Sequence, residues 1–405
     1  KADAARQLLS QPLTLTIPNA AQGDLGPYIY NPQIVANLIA VQRAPEGDQQ
    51  ALQVALNPKG LRDLLIPVKT QVDRLPSEPK FIFNDATGQL ELMEDSKVGR
   101  ALDVDASIKA INEALARGEH TVALVINETQ PKVSGTATGQ ELGITALIHE
   151  ETSYFYGSSE ARIQNIQAAA KQFLGVLVAP GETFSMGAHL GDISLDNGFA
   201  EALIIYGGKT IKGVGGGVCQ VSTTLFRAAF NTGFPIVERT PHAYRVSYYE
   251  QTASGADDPR LAGLDATVYF PLVDFKFTND TPYWLLMETY VDVGSRTLTW
   301  KFYSTPDGRS VTWDTTGPTN VVPAPSPSFE ENPELKKNEM KQVDWAANGA
   351  DVSVTRTVSR NGGVLYQDTI TTHYEPWQAI CQYGPDSKNP EKLAKEQNLC
   401  YGPSS

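Results

Sequence analysis

Gly215-Gly216-Gly217, running directly into Val218-Cys219-Gln220-Val221-Ser222-Thr223-Thr224, restricts the possible folds of this chain more than any other stretch. Three successive residues without a Cβ admit backbone conformations closed to other residues and let the chain lie close to a neighbour or a ligand. The residues after the glycines have helical period. Val218, Val221, Leu225 and Ala229 share one face, and Asn231-Thr232-Gly233-Phe234-Pro235 is a stop, with Gly233 as the left-handed cap. Cys219 then sits in the first turn of a helix, where unpaired N–H groups and the positive end of the helix dipole favour the thiolate.

Composition limits the class of protein that presents this turn. The chain has 405 residues, 41% of them hydrophobic, enough for buried cores in two or three domains at roughly 100–200 residues each. With 33 Lys+Arg against 46 Asp+Glu the net charge is -13, and no basic run occurs, so nucleic acid is not an expected partner. No stretch approaches the ~20 apolar residues of a membrane span. Lys1 reads as the start of a mature or trimmed chain, which leaves room for a signal or membrane anchor ahead of it.

Three cysteines are present. Cys381 and Cys400 lie in a Pro/Gly/Asn-rich tail that needs a staple, so we pair them as a disulfide and expect an extracytoplasmic location. Cys219 is the remaining thiol. Two readings of it stay open from position alone, a small buried hydrophobe or an activated nucleophile.

The period of the sequence predicts an α+β protein in three parts. Residues 1–140 read as a repeated helix–strand unit. The pattern of residues 3–17, ending in the strand Leu13–Ile17, returns at 105–126 with Asp105 as cap and Thr121–Ile126 as strand. Asn31-Pro32 and Asn57-Pro58 each open a further helix, and His120 reads as a surface residue. Residues 141–315 read as a helix against an antiparallel sheet. A helix is expected at 159–174, a hairpin at 202–211 turning on Gly207-Gly208, and strands at 246–249, 266–270, 272–278, 284–290 and 297–303. Residues 316–405 read as a Pro-rich linker to about 337, a hairpin at 350–374 and the stapled tail, together a small β module.

A cysteine nucleophile needs a base, commonly a histidine oriented by a third group. Of five histidines, His120, His149 and His373 lie outside the central segment or at its edge, and His189 is a loop residue. His242 is the candidate base, because it follows Pro241 in the segment leaving the Cys219 helix. Arg239 and Arg245 flank it and suit a substrate carboxylate. Asp265 is the candidate orienting carboxylate. Gly215, Gly216, Gly217, Gln220, Ser222 and Thr223 are candidate substrate contacts, with Gln220 and the N–H groups of 217–219 as an oxyanion hole. No pair of cysteines or histidines has metal-ligand spacing, so no metal or other cofactor is expected.

Residues 155–290 resemble the VanW domain, named from glycopeptide-resistance clusters of bacteria. The match lies in Pro180-Gly181-Glu182-Thr183-Phe184-Ser185, Gly213 through Leu225, Glu238-Arg239-Thr240-Pro241-His242, Asp265-Ala266-Thr267-Val268 and Asp274 through Asn279. Phe226 stands where tyrosine is common, and 250–264 is longer than usual. The preceding segment resembles the peptidoglycan-binding repeats that often accompany this domain, and the end resembles G5-type strands. The resemblance implies a cell-wall protein acting on peptidoglycan stem peptides. Its expected activity is that of an L,D-transpeptidase, a transferase working through an acyl-thioester on Cys219. A non-catalytic wall-binding module and a cysteine peptidase are the alternatives.

Overall fold

The structure, a computed structural model, describes residues 2–19, 25–46, 49–206 and 209–401. It has the expected mixed α+β character and divides into two compact units, Lys1–Pro79 with Glu94–Gly135, and Lys80–Met93 with Thr136–Ser405.

In the first unit the helix–strand repeat has a structural counterpart. Helix Ala2–Leu8 leads to strand Leu13–Thr16, helix Val104–Ala116 leads to strand Thr121–Ala123, and the two strands pair in parallel, Leu15 opposite Val122. Their alternation sends Leu13, Leu15 and Val122 into one core with Leu61, Leu65, Ile111 and Leu115. The cap of the later helix is Asp103, whose carboxylate accepts from Ala106 N, and Asp105 falls in the first turn. Asn31 and Asn57 cap their helices ahead of proline as expected. His120 is buried, its ring nitrogens facing the carbonyls of Gly118 and Gln7, which corrects its reading as a surface residue.

The second unit is built on an antiparallel sheet in the order Ala146–Tyr154, Thr297–Ser304, Leu285–Asp292, Val176–Val178. The first of these strands is new, because its polar run lacks clean alternation. The helix Val218–Thr232 lies in the core with Trp300, Phe302, Met287, Phe173 and Ile166 around it. It is buried on every side from Gln220 to Phe230. Inside it, Ser222 Oγ donates to Ala266 O at 2.6 Å and Arg227 Nε to Leu264 O at 2.7 Å, while the buried Nη2 of Arg227 has no hydrogen-bond partner among the described residues.

Burial on all sides comes from the strands that cover the helix's far end. Strands Gly349–Arg360 and Gly363–Tyr374 form the expected hairpin, and Val352, Val354 and Tyr374 enter the same core. Fully buried Arg356 donates to Phe230 O and Phe234 O, placing a cation on the last carbonyls of the helix, and is held there by Asp368. Residues 316–405 therefore share one compact unit with the central segment, where a separate module was expected. The expected linker contains strands Thr319–Val322 and Ser328–Glu331, both paired. Cys381 and Cys400 are disulfide-bonded in a small cluster with Met340, Ala379 and Ala394.

Two expected strands are absent from their places. Ser247–Tyr249 is a single 3-10 turn, and 266–275 lies outside any sheet and contains a tight turn closed by an isolated bridge between Tyr269 and Val273, so that regular pairing resumes at Lys276–Thr278. The hairpin strands Glu201–Tyr206 and Lys209–Val214 pair as expected, while their turn, Gly207-Gly208, lies outside the described residues.

Candidate active site

The glycine run sets the position of Cys219 by close packing. A Cβ on Gly216 would stand 2.3 Å from Leu203 O, and one on Gly217 would stand 2.8 Å from Arg162 O. Gly217 also has φ 116°, a conformation that favours glycine. Asn165, fully buried on the neighbouring helix Glu160–Lys171, ties the run down by donating to Gly216 O at 2.8 Å and Ala200 O at 3.0 Å. The helix thus begins wedged between a strand and another helix, with Cys219 in its first turn and partly exposed.

The thiol of Cys219 lies close to the ring of His242 and to the backbone N–H of Val268, and both favour its thiolate. His242 in turn is fixed by Asp265. Its Nδ1 lies 2.6 Å from Asp265 Oδ2, and its backbone N–H donates to the same oxygen at 2.7 Å. With Nδ1 occupied, Nε2 is the nitrogen left for sulfur. The ring of Tyr249 covers the imidazole at 5.0 Å between centroids. The other carboxylate oxygen, Oδ1, accepts from Tyr374 Oη at 2.5 Å and from Arg239 at 3.1 Å, so both oxygens are saturated.

These contacts favour the charged pair. Burial pushes the Cys219 thiol up, but His242, Val268 N–H and the charge of Arg162 outweigh it and hold the thiol below its ordinary 9.0. Burial pushes His242 down, and Asp265 and then Cys219 outweigh it, raising the imidazole from 6.5 to about 10. Burial likewise raises Asp265, yet His242 and Arg239 hold it well below the usual carboxylate range. The Cys219 and His242 displacements are two sides of one interaction, a thiolate beside an imidazolium.

Residues 161–303 match the family model described as "VanW like protein", and residues 31–123 match "Putative peptidoglycan binding domain". The central segment is a VanW-like domain. Over 135 residues the chain is 37% identical to the uncharacterized protein YoaR of Bacillus subtilis, covering 33% of this chain and 41% of that protein. Over 136 residues it is 32% identical to the vancomycin B-type resistance protein VanW of Enterococcus faecalis, covering 34% of this chain and 47% of that protein. The matched region thus spans less than half the length of either relative. Among solved structures the chain is similar to HP0197-G5, at 17% identity over 19% of this chain and 97% of that one, with TM-score 0.11. A second is an IgA1 protease G5 domain, at 18% identity over 20% of this chain and 94% of that one, with TM-score 0.13.

Within the VanW-like domain the structure brings Cys219, His242 and Asp265 together and turns the other candidate residues to internal work. Arg239 is buried, donating through Nε to Asp265 O and through its terminal nitrogens to Asp265, Gly263 O and Thr372. Arg245 pairs with both oxygens of Glu250. Neither guanidinium is left for a substrate carboxylate. Gln220 is fully buried, accepting from Arg162 and donating to Ser153 and Tyr154 O, so its side chain is no oxyanion donor. The N–H groups of Val218 and Gln220 are likewise spent on Gly215 O and Gly217 O. Ser222 and Thr223 both reach Ala266 O and hold the 265–268 segment against the helix, and Gly215–Gly217 serve packing. His149, His189 and His373 have other partners: Glu151, Ser185 O and Asp351.

Sequence reading missed Arg162, Tyr249 and Tyr374. Tyr374 lies 109 positions from Asp265 and beyond the matched domain. Only the alternation of its strand, which predicts that one face of 350–374 is buried, gave any sign of it.

Proposed function

We propose that the protein is a cell-wall acyltransferase that works on peptidoglycan stem peptides through a thioester on Cys219. The two family matches support a cell-wall-associated role. The observation that carries the finer reading is the grouping of Cys219, His242 and Asp265, with the thiol on a helix N-terminus and the histidine locked by a saturated carboxylate. In the first half-reaction the thiolate attacks the carbonyl of an L,D peptide bond. A C–S bond forms, the amide C–N bond breaks, and the imidazolium of His242 gives its proton to the departing D-residue amine. In the second, the side-chain amine of another stem attacks the thioester, passes a proton to His242 and releases the thiolate, leaving a cross-link.

Intact-protein mass spectrometry after incubation with tetrapeptide-stem muropeptides tests this. The expected result is an acyl adduct on Cys219 together with dimeric product, both absent in Cys219→Ala. A folded wild type that forms neither would overturn the proposal, and shortened monomers without dimers would reassign the acceptor to water.

A further inference from the structure

With Arg239 and Arg245 both committed to internal carboxylates, the site needs another cation to recognise an anionic donor. Arg162 has the position. It projects from the helix Glu160–Lys171 onto the start of the Cys219 helix. There its Nη2 donates to Oε1 of Gln220, the residue after the cysteine, at 2.9 Å. Its Nη1 donates to Ser158 Oγ, and its guanidinium lies 4.7 Å over the ring of Tyr248. Tyr248 packs on Tyr249 at 4.7 Å, and Tyr249 covers His242. A Cβ on Gly217 would meet the Arg162 stem at 2.9 Å, so the glycine is what lets the arginine lie this close to the thiol's turn.

All of these partners are neutral. Arg162 is partly exposed, and no carboxylate forms an ion pair with it among the described residues. Two of the five donor hydrogens of a guanidinium are used, one by Ser158 and one by Gln220. In a chain of net charge -13, a guanidinium without an ion-pair partner, held on the residue after Cys219 and acting by its charge on the thiol, suits an anion.

We propose that Arg162 is the carboxylate anchor of the acyl-donor subsite, binding the free C-terminal carboxylate of the residue that leaves when Cys219 is acylated. This rests on the acyl-transfer reading. In a stem ending in a single D-residue, the carboxylate carbon is three bonds from the scissile carbonyl, within about 4 Å, so one arm beside the thiol reaches it while the thiolate attacks. The ligand class is accordingly a peptide with a free terminal carboxylate. Amidated or extended peptides lose the contact.

Alkylation of Cys219 by iodoacetate and by iodoacetamide, two reagents differing in one carboxylate, tests this without peptidoglycan. In wild type at pH 7 the iodoacetate-to-iodoacetamide rate ratio is expected to exceed that of free cysteine. Arg162→Gln and Arg162→Met, the second keeping an unbranched stem over Gly217, should each lower that ratio by about fivefold, the size of one solvent-screened charge pair at contact. Both should leave the iodoacetamide rate far less changed. A wild-type ratio no higher than that of free cysteine, or a ratio that neither variant moves, overturns the proposal. Slow iodoacetamide alkylation of wild type would instead count against the activated thiol itself, so the two failures are distinguishable.

Discussion

Asp265→Asn removes one negative charge at nearly constant volume and tests the site most directly. The imidazole of His242 stands at about 10 in place of 6.5. At ~1.4 kcal/mol per pKa unit this is about 5 kcal/mol in favour of imidazolium, and Asp265 contributes more of it than Cys219 does. Loss of the carboxylate should therefore remove at least about 2 kcal/mol, a factor of roughly thirty in the thiolate–imidazolium population. The assay is the rate of Cys219 alkylation by iodoacetamide across pH. Wild type should react fast from a pH below the ordinary thiol value of 9.0 upward, because the imidazolium holds the thiolate there. In the variant His242 should lose its proton at lower pH, and from that pH upward the thiol should titrate nearer 9.0, so alkylation in that interval should slow. Equal rates at every pH up to 9.0 would refute the reasoning.

The same substitution has a stability signature with a definite sign. His242 is raised on folding, so its contribution is complete below 6.5 and is lost as pH climbs through about 10. Asp265 is depressed on folding, so its contribution is present above 3.8 and lost as pH falls through its lowered value. The difference in melting temperature between wild type and Asp265→Asn should accordingly be widest between 3.8 and 6.5 and narrow toward about 10. A gap that widens with rising pH would contradict the assignment.

Tyr374→Phe deletes the hydroxyl that donates to Asp265 and accepts from Gly263 N–H. A loss of about 1.5–3 kcal/mol by thermal melting and a higher onset pH for Cys219 alkylation are expected, and an unmoved onset would argue that the strand is structural only. Gly216→Ala puts a methyl 2.3 Å from Leu203 O, a backbone atom that cannot swing aside, and should destabilise by about 1–3 kcal/mol. An unchanged melting temperature would show that the helix start has slack. Cys381→Ser opens a loop closed across 19 residues, and a destabilisation of about 3 kcal/mol with new proteolytic cleavage between 381 and 400 is expected. Resistance equal to wild type would show that the tail's packing suffices.

Local chemistry fixed the parts of this protein that depend on neighbours in sequence. Glycines followed by an apolar 3.6-residue period could only start a helix at Val218, Gly233 could only end it, and Asn-Pro pairs could only open helices at 32 and 58. The grouping of Cys219, His242 and Asp265 was legible for the same reason, since residue type and a motif mark a candidate thiol, imidazole and carboxylate without their coordinates. The surroundings of these three were decided by tertiary structure. Whether Arg239 faces a ligand or Asp265, or whether Gln220 lines a groove or the core, depends on burial by segments far along the chain. A buried charge must find its partner inside. Tyr374, the donor that completes Asp265, reaches it only because strand 363–374 closes over the core. Arg162 reaches the thiol's turn only because Gly217 lacks the atom that would keep it away.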